Sequence, residues 1–307
     1  MKTLHKKAIS AAAVALLSGL ACSSAFAADT PTNPEDAGSP ISANVTIVND
    51  YRYRGISQSN FKPAIQGGFD YAHDSGFYIG NWNSSISWIS DSYATNGSNV
   101  GKNTSSPYGS VSAPVEMDFY AGFKKELIGE GFATDLGFLQ YYYPTSGIPN
   151  TNGYTANPNT SEVYLAQNFT LGPIAGFAKV SYAVSTLFGA VNSTGSYYPD
   201  LTVNYDTGVW GLALNGHVGY QYVAGNVKNG STNWVGNSIP NGTSNSTLYS
   251  YTDWKLGVTK DFGGGLSAAI AYVGTNAATY KGAYSYTSPS GNNLGRSTGL
   301  ISLTKTF

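Results

Sequence analysis

The 307-residue sequence predicts an all-β fold, a transmembrane antiparallel β-barrel of about 12 strands. Three observations carry that prediction. Segments of about ten residues alternate apolar and polar side chains, tight turns alternate strictly with long polar connections, and the chain finishes in a strand running from Gly295 to the terminal aromatic Phe307. In an outer-membrane barrel the short turns are periplasmic and the long loops extracellular. A water-soluble sandwich has no reason to collect its long connections at one end.

The elements follow in chain order. Lys2, Lys6 and Lys7 form a basic n-region, Ala8 to Leu20 an apolar h-region, and Ala25-Phe26-Ala27 a small-x-small site. This is an export signal spanning 1–27, cleaved after Ala27. Its apolar stretch falls short of the ~20 residues of a helical span. Cys22, the only cysteine, lies inside the signal. A lipoprotein site is the alternative there; Ala21 suits it, but Gly19 stands where a Leu belongs. The mature chain then holds no cysteine and can form neither a disulfide nor a thiolate metal site. Residues 28–41, with Pro31, Pro34, Glu35 and Asp36, read as a flexible periplasmic lead-in to a barrel domain spanning 42–307.

Composition narrows the class. Loss of the signal removes three lysines and no acid, leaving 13 bases against 17 acids, and this mild acidity argues against nucleic acid as a partner. Charged residues make up only 11% of the chain, while Gly (37) and Tyr (24) are abundant. So many aromatics exclude a disordered chain despite the stretches rich in Gly, Asn, Ser and Thr. After the signal no apolar run nears the ~18 residues of a membrane helix, so a barrel is the remaining way to cross a bilayer with every backbone group paired.

Twelve strands are predicted, near 42–52, 64–73, 77–89, 114–125, 132–143, 161–171, 174–187, 198–206, 209–222, 249–261, 265–275 and 295–307. The clearest is 114–125, where Val115, Met117, Phe119, Ala121 and Phe123 share one face and Glu116, Asp118, Tyr120, Gly122 and Lys124 the other. Such alternation requires one apolar and one wet environment. Strand 209–222 repeats it, with Trp210, Leu212, Leu214, Val218 and Tyr220 against Asn215, His217 and Gln221; strand 249–261 sets Trp254, Leu256 and Val258 against Asp253, Lys255 and Thr259. Strands 77–89 and 265–275 show no decided face.

Asp74-Ser75-Gly76, Glu126 to Gly131, Gly172-Pro173, Asp206-Thr207-Gly208 and Gly263-Gly264-Gly265 are the tight connections. The others, near 53–63, 90–113, 144–160, 188–197, 223–248 and 276–294, are long, and an even strand count puts all of them outside. Tyr141-Tyr142-Tyr143, Trp88 and Tyr222 fall at outer strand ends and Phe307 at an inner one, the placement of aromatic girdles; ordinary cross-strand packing is the alternative for any single Tyr.

The run Asn49-Asp50-Tyr51-Arg52-Tyr53-Arg54-Gly55-Ile56-Ser57-Gln58 resembles the opening strand of the TorF family of porins. Pro63 to Tyr71, Gly76 to Trp82 and Glu116 to Phe123 continue the likeness, which is specific over about 43–82 and 116–123. The resemblance implies an outer-membrane channel and carries over no functional residue. Loops 90–113 and 223–248 are long for that family.

Strand phase turns a set of polar residues inward as the candidate pore lining: Asp50, Arg52, Asp70, Glu116, Asp118, Tyr120, Lys124, Asp135, Glu162, Lys179, Asp206, Asn215, His217, Asp253, Lys255 and Arg296. A Lys or Arg facing lipid at the midplane would cost about 2–4 kcal/mol, so these belong in a wet or paired interior. Inward Gly68, Gly122, Gly211 and Gly257 leave room for a channel, since eight strands are just filled by side chains and diameter grows with strand number. Eight inward acids against five bases imply a mild preference for cations.

An enzyme is not expected. His73 falls at a periplasmic turn, and His217 sits mid-strand, where a hydrogen-bonded lumen histidine is the plainer reading than a catalytic one. Two isolated histidines and no cysteine make no zinc site, and Gly263-Gly264-Gly265 is a turn rather than a phosphate loop, so no cofactor is expected. The expected function is passive diffusion of small hydrophilic solutes across the outer membrane. The partners are then lipid, lipopolysaccharide, and the barrel-assembly machinery that takes up the C-terminal strand ending in Phe307. The alternative is a structural or adhesive barrel with a closed, salt-bridged interior and surface-binding loops.

Overall fold

A computed structural model describes residues 39–93, 111–148, 150–151, 154–155, 157–227, 231–232 and 237–307. The export signal with Cys22, the lead-in up to residue 38, and parts of the connections 90–113 and 223–248 lie outside the described residues.

Twelve antiparallel strands close into one barrel. They are β1 (Ile41–Val48), β2 (Ala64–Ala72), β3 (Phe77–Ser85), β4 (Val115–Gly129), β5 (Phe132–Tyr142), β6 (Thr160–Leu171), β7 (Ile174–Ala183), β8 (Tyr197–Asp206), β9 (Leu212–Gln221), β10 (Tyr251–Asp261), β11 (Leu266–Thr275) and β12 (Thr298–Thr306). Each strand pairs with the next, and β1 closes on β12 in the register Asn44–Thr306 to Val48–Ser302. Closure removes both sheet edges, so the ladder hydrogen bonds of all twelve strands are made within the ring. The tight turns lie at one end with both barrel termini; all the long connections lie at the other.

Alternation sorts the side chains as the sequence predicts. Asp118, Asn215 and Asp253 are buried inside, whereas Phe119, Leu214 and Leu256 point out. Leu256 is 69% exposed and Ile270 60%, part of an apolar outer belt of the kind that faces hydrocarbon rather than water. The two undecided strands acquire faces. In β3, Tyr78, Trp82 and Ser84 turn in; Asn81 and Asn83 turn out, and Asn83 Nδ2 bonds Asn81 Oδ1 at 2.5 Å. In β11, Ser267, Ala269 and Val273 are buried while Ile270 and Tyr272 are exposed.

Several sequence expectations need correction. The third strand stops at Ser85, and Trp88–Ser92 forms the short helix α1 instead. Trp88 therefore sits in an inner aromatic cluster with Tyr143 and Phe188, not in a girdle. Tyr141 and Tyr143 are buried as well; of the three consecutive tyrosines only Tyr142 looks out. Tyr222 does lie on the outer face, stacked 4.7 Å from Tyr197.

The inward glycines do not leave open space either. The hydroxyl of Tyr78 lies where a Cβ on Gly122 would stand, and the Tyr164 ring does the same at Gly137. These rings lie flat on the wall, the glycine supplying the recess that the tyrosine fills. Gly211 is in the turn at φ +64° and does not line the lumen wall.

Leu256→Arg, an outward change at mid-strand, should cost about 2–4 kcal/mol of stability in lipid. Equilibrium urea unfolding from vesicles measures it; an unchanged midpoint would remove Leu256 from the hydrocarbon belt.

Candidate functional site: a charged lumen bridged by an inward hairpin

The site begins where β1 ends earlier than its alternation suggests. After Val48 the chain leaves the wall and folds into the lumen, so Asp50 and Arg52 stand on an inward segment, not on a strand of the barrel. Residues Arg52–Tyr53 and Ile56–Ser57 pair as a miniature hairpin with Arg54 and Gly55 at its tip. Both tip residues have positive φ, +44° and +77°, the conformation of a two-residue hairpin turn with glycine second. A Cβ on Gly55 would come within 2.4 Å of Thr275 Cγ2 and 2.8 Å of Asp253 Cβ, so the tip is pressed against the β10–β11 wall.

Buried ionic bonds hold the hairpin. Asp50 Oδ2 accepts from Arg52 Nε at 2.6 Å, and Asp50 Oδ1 accepts from Ser57 Oγ at 2.6 Å. Arg52 Nη1 donates to the carbonyls of Gly55, Leu294 and Arg296 at 2.8, 2.9 and 3.1 Å. Arg54 reaches across the barrel. Its Nη2 meets both oxygens of Glu162 on β6 at 3.0 and 2.7 Å, while Nη1 donates to Gln221 Oε1 on β9 at 2.6 Å. The guanidinium also lies 4.2 Å from the centroid of Tyr198 and 4.8 Å from that of Tyr53. Tyr51 donates to Glu116, which accepts a second hydroxyl from Tyr143 at 2.5 Å.

The rings complete the bridge. Tyr53 packs edge-on against Tyr141 and Phe188, with centroids 5.5 and 5.3 Å apart, and its hydroxyl donates to Tyr141 Oη at 2.9 Å. Phe188 occupies this cluster from a left-handed backbone at φ +48°, strain that its aromatic contacts offset. Helix α1 lies beside it; burial raises the carboxyl of Asp91 there above the usual range, opposed by a 2.7 Å bond from Ser87 Oγ.

Inside the barrel is a cavity of about 130 Å³. Asp50, Arg52, Asp118, Tyr120, Asp135, Lys179, His217, Asp253 and Lys255 of the predicted set line it, joined by Arg54, Tyr198 and Asp200. The remaining predicted residues lie elsewhere. Asp70 is buried on the wall and accepts from Tyr120 Oη at 2.5 Å, Glu116 and Glu162 are bonded as above, and Asn215 bonds Asn204 and Thr259. Lys124 is half-buried near the turn end of β4. Asp206 ends β8, where its Oδ1 accepts from Gly208 N at 2.9 Å as a turn cap. Arg296 is a correction: it precedes β12, is exposed at the loop end, and stacks its guanidinium 4.2 Å from the centroid of Phe61.

His217 is held on both ring nitrogens, Nδ1 3.0 Å from Asp200 Oδ1 and Nε2 2.9 Å from Asp253 Oδ1. Tyr198 Oη donates to Asp253 Oδ2 at 2.9 Å, and Lys179 Nζ stands 3.8 Å from Asp200. A carboxylate faces each imidazole nitrogen, and the Thr202 hydroxyl, 3.1 Å from Nδ1, donates to Asp200 Oδ1 at 3.1 Å. Among the described residues no group of three His, Cys, Asp or Glu is arranged to hold a metal.

Not every buried polar atom has a partner. Asp118 is buried, yet its Oδ1 makes no hydrogen bond, and the same holds for the Nη2 atom of the ion-paired Arg52. Lys255 lines the cavity on the opposite wall without an ion pair among the described residues.

Sequence reasoning missed Arg54 and Asp200. Alternation along β8 places Asp200 in phase with Asn204 and Asp206, which was signal enough to find it. Arg54 had no such signal, because nothing in a polar connection marks it as folding inward.

A family described as "Bacterial protein of unknown function (Gcw_chp)" matches residues 32–307. The chain belongs to that family. No curated protein matches the chain significantly. Among solved structures, it is similar to the KdgM porin at 7% identity, with 87% of this chain and 98% of that chain covered and a TM-score of 0.46. It is also similar to an outer-membrane channel from Pseudomonas putida F1 at 12% identity, covering 91% and 100% at a TM-score of 0.48. A TodX mutant, a monoaromatic hydrocarbon channel, shares 10% identity over 87% and 88% at 0.47. These likenesses assign neither a solute nor a residue.

Arg54→Met leaves the Glu162 carboxylate buried without its cation and should destabilise the barrel by about 3–5 kcal/mol. The double variant with Glu162→Gln should recover most of that loss. A double-mutant cycle in vesicles tests this; strictly additive losses would mean the two side chains do not interact.

Proposed function

We propose that the protein is an outer-membrane channel for small hydrophilic solutes, narrowed by the inward hairpin at residues 52–57. One observation carries the reading: Asp118 Oδ1 and the Lys255 side chain, both of cavity-lining residues, make no hydrogen bond or ion pair among the described residues. Leaving a polar group without a partner away from water costs free energy, and a barrel serving only as a scaffold would pair or replace such groups. Asp118 and Lys255 are accounted for if water and solute pass between them. The resemblance of residues 43–82 and 116–123 to TorF porins supports the same reading, as does the apolar outer belt, which suits the outer membrane. Helical proteins of the inner membrane cross differently, and no helix among the described residues is long and apolar enough to span.

The hairpin sets the size limit. It crosses the loop end from β1 to Glu162 and Gln221, so solutes pass around it or displace it. A mild preference for cations follows from the lining of the half-wall formed by β2 to β6, where Asp118 and Asp135 are the acids that face the cavity.

Planar-bilayer recordings test both statements. Wild-type protein should give small single-channel steps, and replacing residues 51–58 with a Gly-Ser linker should enlarge them several-fold. A variant no more conductive than wild type, in a barrel that still folds, would favour the closed structural reading. Glu116→Gln with Asp118→Asn should shift the reversal potential towards zero; a preference for anions in the wild type would overturn the cation reading.

A further inference from the structure

Arg54 occupies the far wall as a ligand would. Three electron-rich groups converge on its guanidinium. Nη2 donates to both carboxylate oxygens of Glu162 at 3.0 and 2.7 Å, Nη1 donates to Gln221 Oε1 at 2.6 Å, and the Tyr198 ring centroid lies 4.2 Å from Cζ. The wall fixes these acceptors. Gln221 Nε2 donates to the carbonyl of Tyr222 at 3.0 Å, which leaves the amide oxygen for Arg54, and Tyr198 Oη is tied to Asp253 at 2.9 Å. Among the described residues no other group donates to the Glu162 carboxylate, whose side chain is 2% exposed. Arg54 makes the hairpin's hydrogen bonds to β6 and β9, whereas Arg52 serves the base of the hairpin through Asp50 and the carbonyls of Gly55, Leu294 and Arg296. Arg54 does so from left-handed backbone at φ +44°, a conformation that costs a residue with a side chain free energy.

From this geometry we infer that Glu162, Gln221 and Tyr198 form a recognition site for a guanidinium-bearing solute, and that Arg54 is its resident occupant. This rests on the channel reading, in which the hairpin is bypassed or displaced, and adds the solute class. Withdrawing the tip takes the cation from Glu162, and a buried carboxylate left alone is costly. A solute that carries its own guanidinium restores the pair and so offsets the loss. An alkali cation brings charge but no planar set of N–H donors for Glu162 and Gln221 together. A neutral molecule of the same shape brings the donors without the charge. Because Arg54 is tethered, it competes at an effective concentration in the millimolar range or above, and a free guanidinium has to reach ~50 mM to displace it.

Planar-bilayer recordings in which guanidinium chloride replaces ~50 mM of the potassium chloride, with urea as the neutral molecule of the same shape, test the site. Guanidinium should raise the open probability of wild-type channels at least about twofold, because a ligand that binds only the displaced state shifts the equilibrium towards it, and urea should leave it unchanged. Glu162→Gln removes the charge that selects the cation and should lose the response. If that variant fails to fold, Arg54→Ala decides. Its site is vacant, so its melting temperature in detergent should rise in guanidinium relative to urea, whereas that of wild type should not. Equal responses to guanidinium and urea would overturn the inference, as would a guanidinium response that survives Glu162→Gln, or an Arg54→Ala barrel that guanidinium stabilises no more than urea. Wild-type channels that conduct without regard to guanidinium leave the channel standing and remove the site. No conductance in either salt, from wild type or from the barrel with residues 51–58 replaced, removes both.

Discussion

A strand in hydrocarbon has no water to satisfy its N–H and C=O groups, and the rest of this structure depends on that constraint. An open sheet would leave two edges unpaired, so the twelve strands close, with β1 joined to β12. Closure then divides the side chains. The outer face is mostly apolar, as at Leu214, Leu256 and Ile270, with Lys125, Lys260 and Lys305 only near the turn end; the inner face takes most of the charges the strands carry. The crowding of acids and bases into one lumen is thus a consequence of how the backbone is satisfied.

That crowding has its own energetics. Charges brought together away from bulk water need partners with good geometry, or their burial costs more than their attraction returns. The lumen meets this need with tyrosine. Hydroxyls from Tyr51 and Tyr143 meet on Glu116, Tyr120 bonds Asp70, Tyr78 bonds Asp135 and Tyr198 bonds Asp253. The rings lie against glycines on the wall, which keeps so many large side chains inside a ring of twelve strands. Four pairs show it: Tyr78 over Gly122, Tyr120 over Gly80, Tyr164 over Gly137 and Tyr198 over Gly219.

The hairpin at residues 52–57 turns this lined barrel into a restricted one. Its tip residues adopt left-handed backbone, its arginine spans to the far wall, and its flanking rings join the cluster around Phe188. The pairs that hold it, Arg52–Asp50 and Arg54–Glu162, are buried, where salt screens little. Asp118 Oδ1 and the Lys255 side chain, of residues that line the same cavity, are left without a hydrogen bond or ion pair among the described residues.

Much of this was legible beforehand. All twelve strands fall within a few residues of the alternating segments, and their tight and long connections sort to the expected ends. Period-two alternation is a local property that a single sequence displays whenever one face is wet. It was silent for β3 and β11 for physical reasons. Asn81 and Asn83 bond each other on the outer face of β3, and the inner face of β11 carries small residues such as Ala269 and Ala271, so neither strand contrasts its two sides. The end of β1 and the course of Asp50 to Ser57 were not legible, because a polar segment that leaves the wall looks the same whether it enters water or the lumen. By itself, then, the sequence determined the barrel, its strand number and which face of most strands is polar, since backbone pairing and alternation are local demands. Only the tertiary structure decided which charges meet, that Arg54 crosses to Glu162, and that Asp118 and Lys255 are left facing one cavity. Those facts depend on closure and on an inward fold that bring residues more than a hundred positions apart within bonding reach.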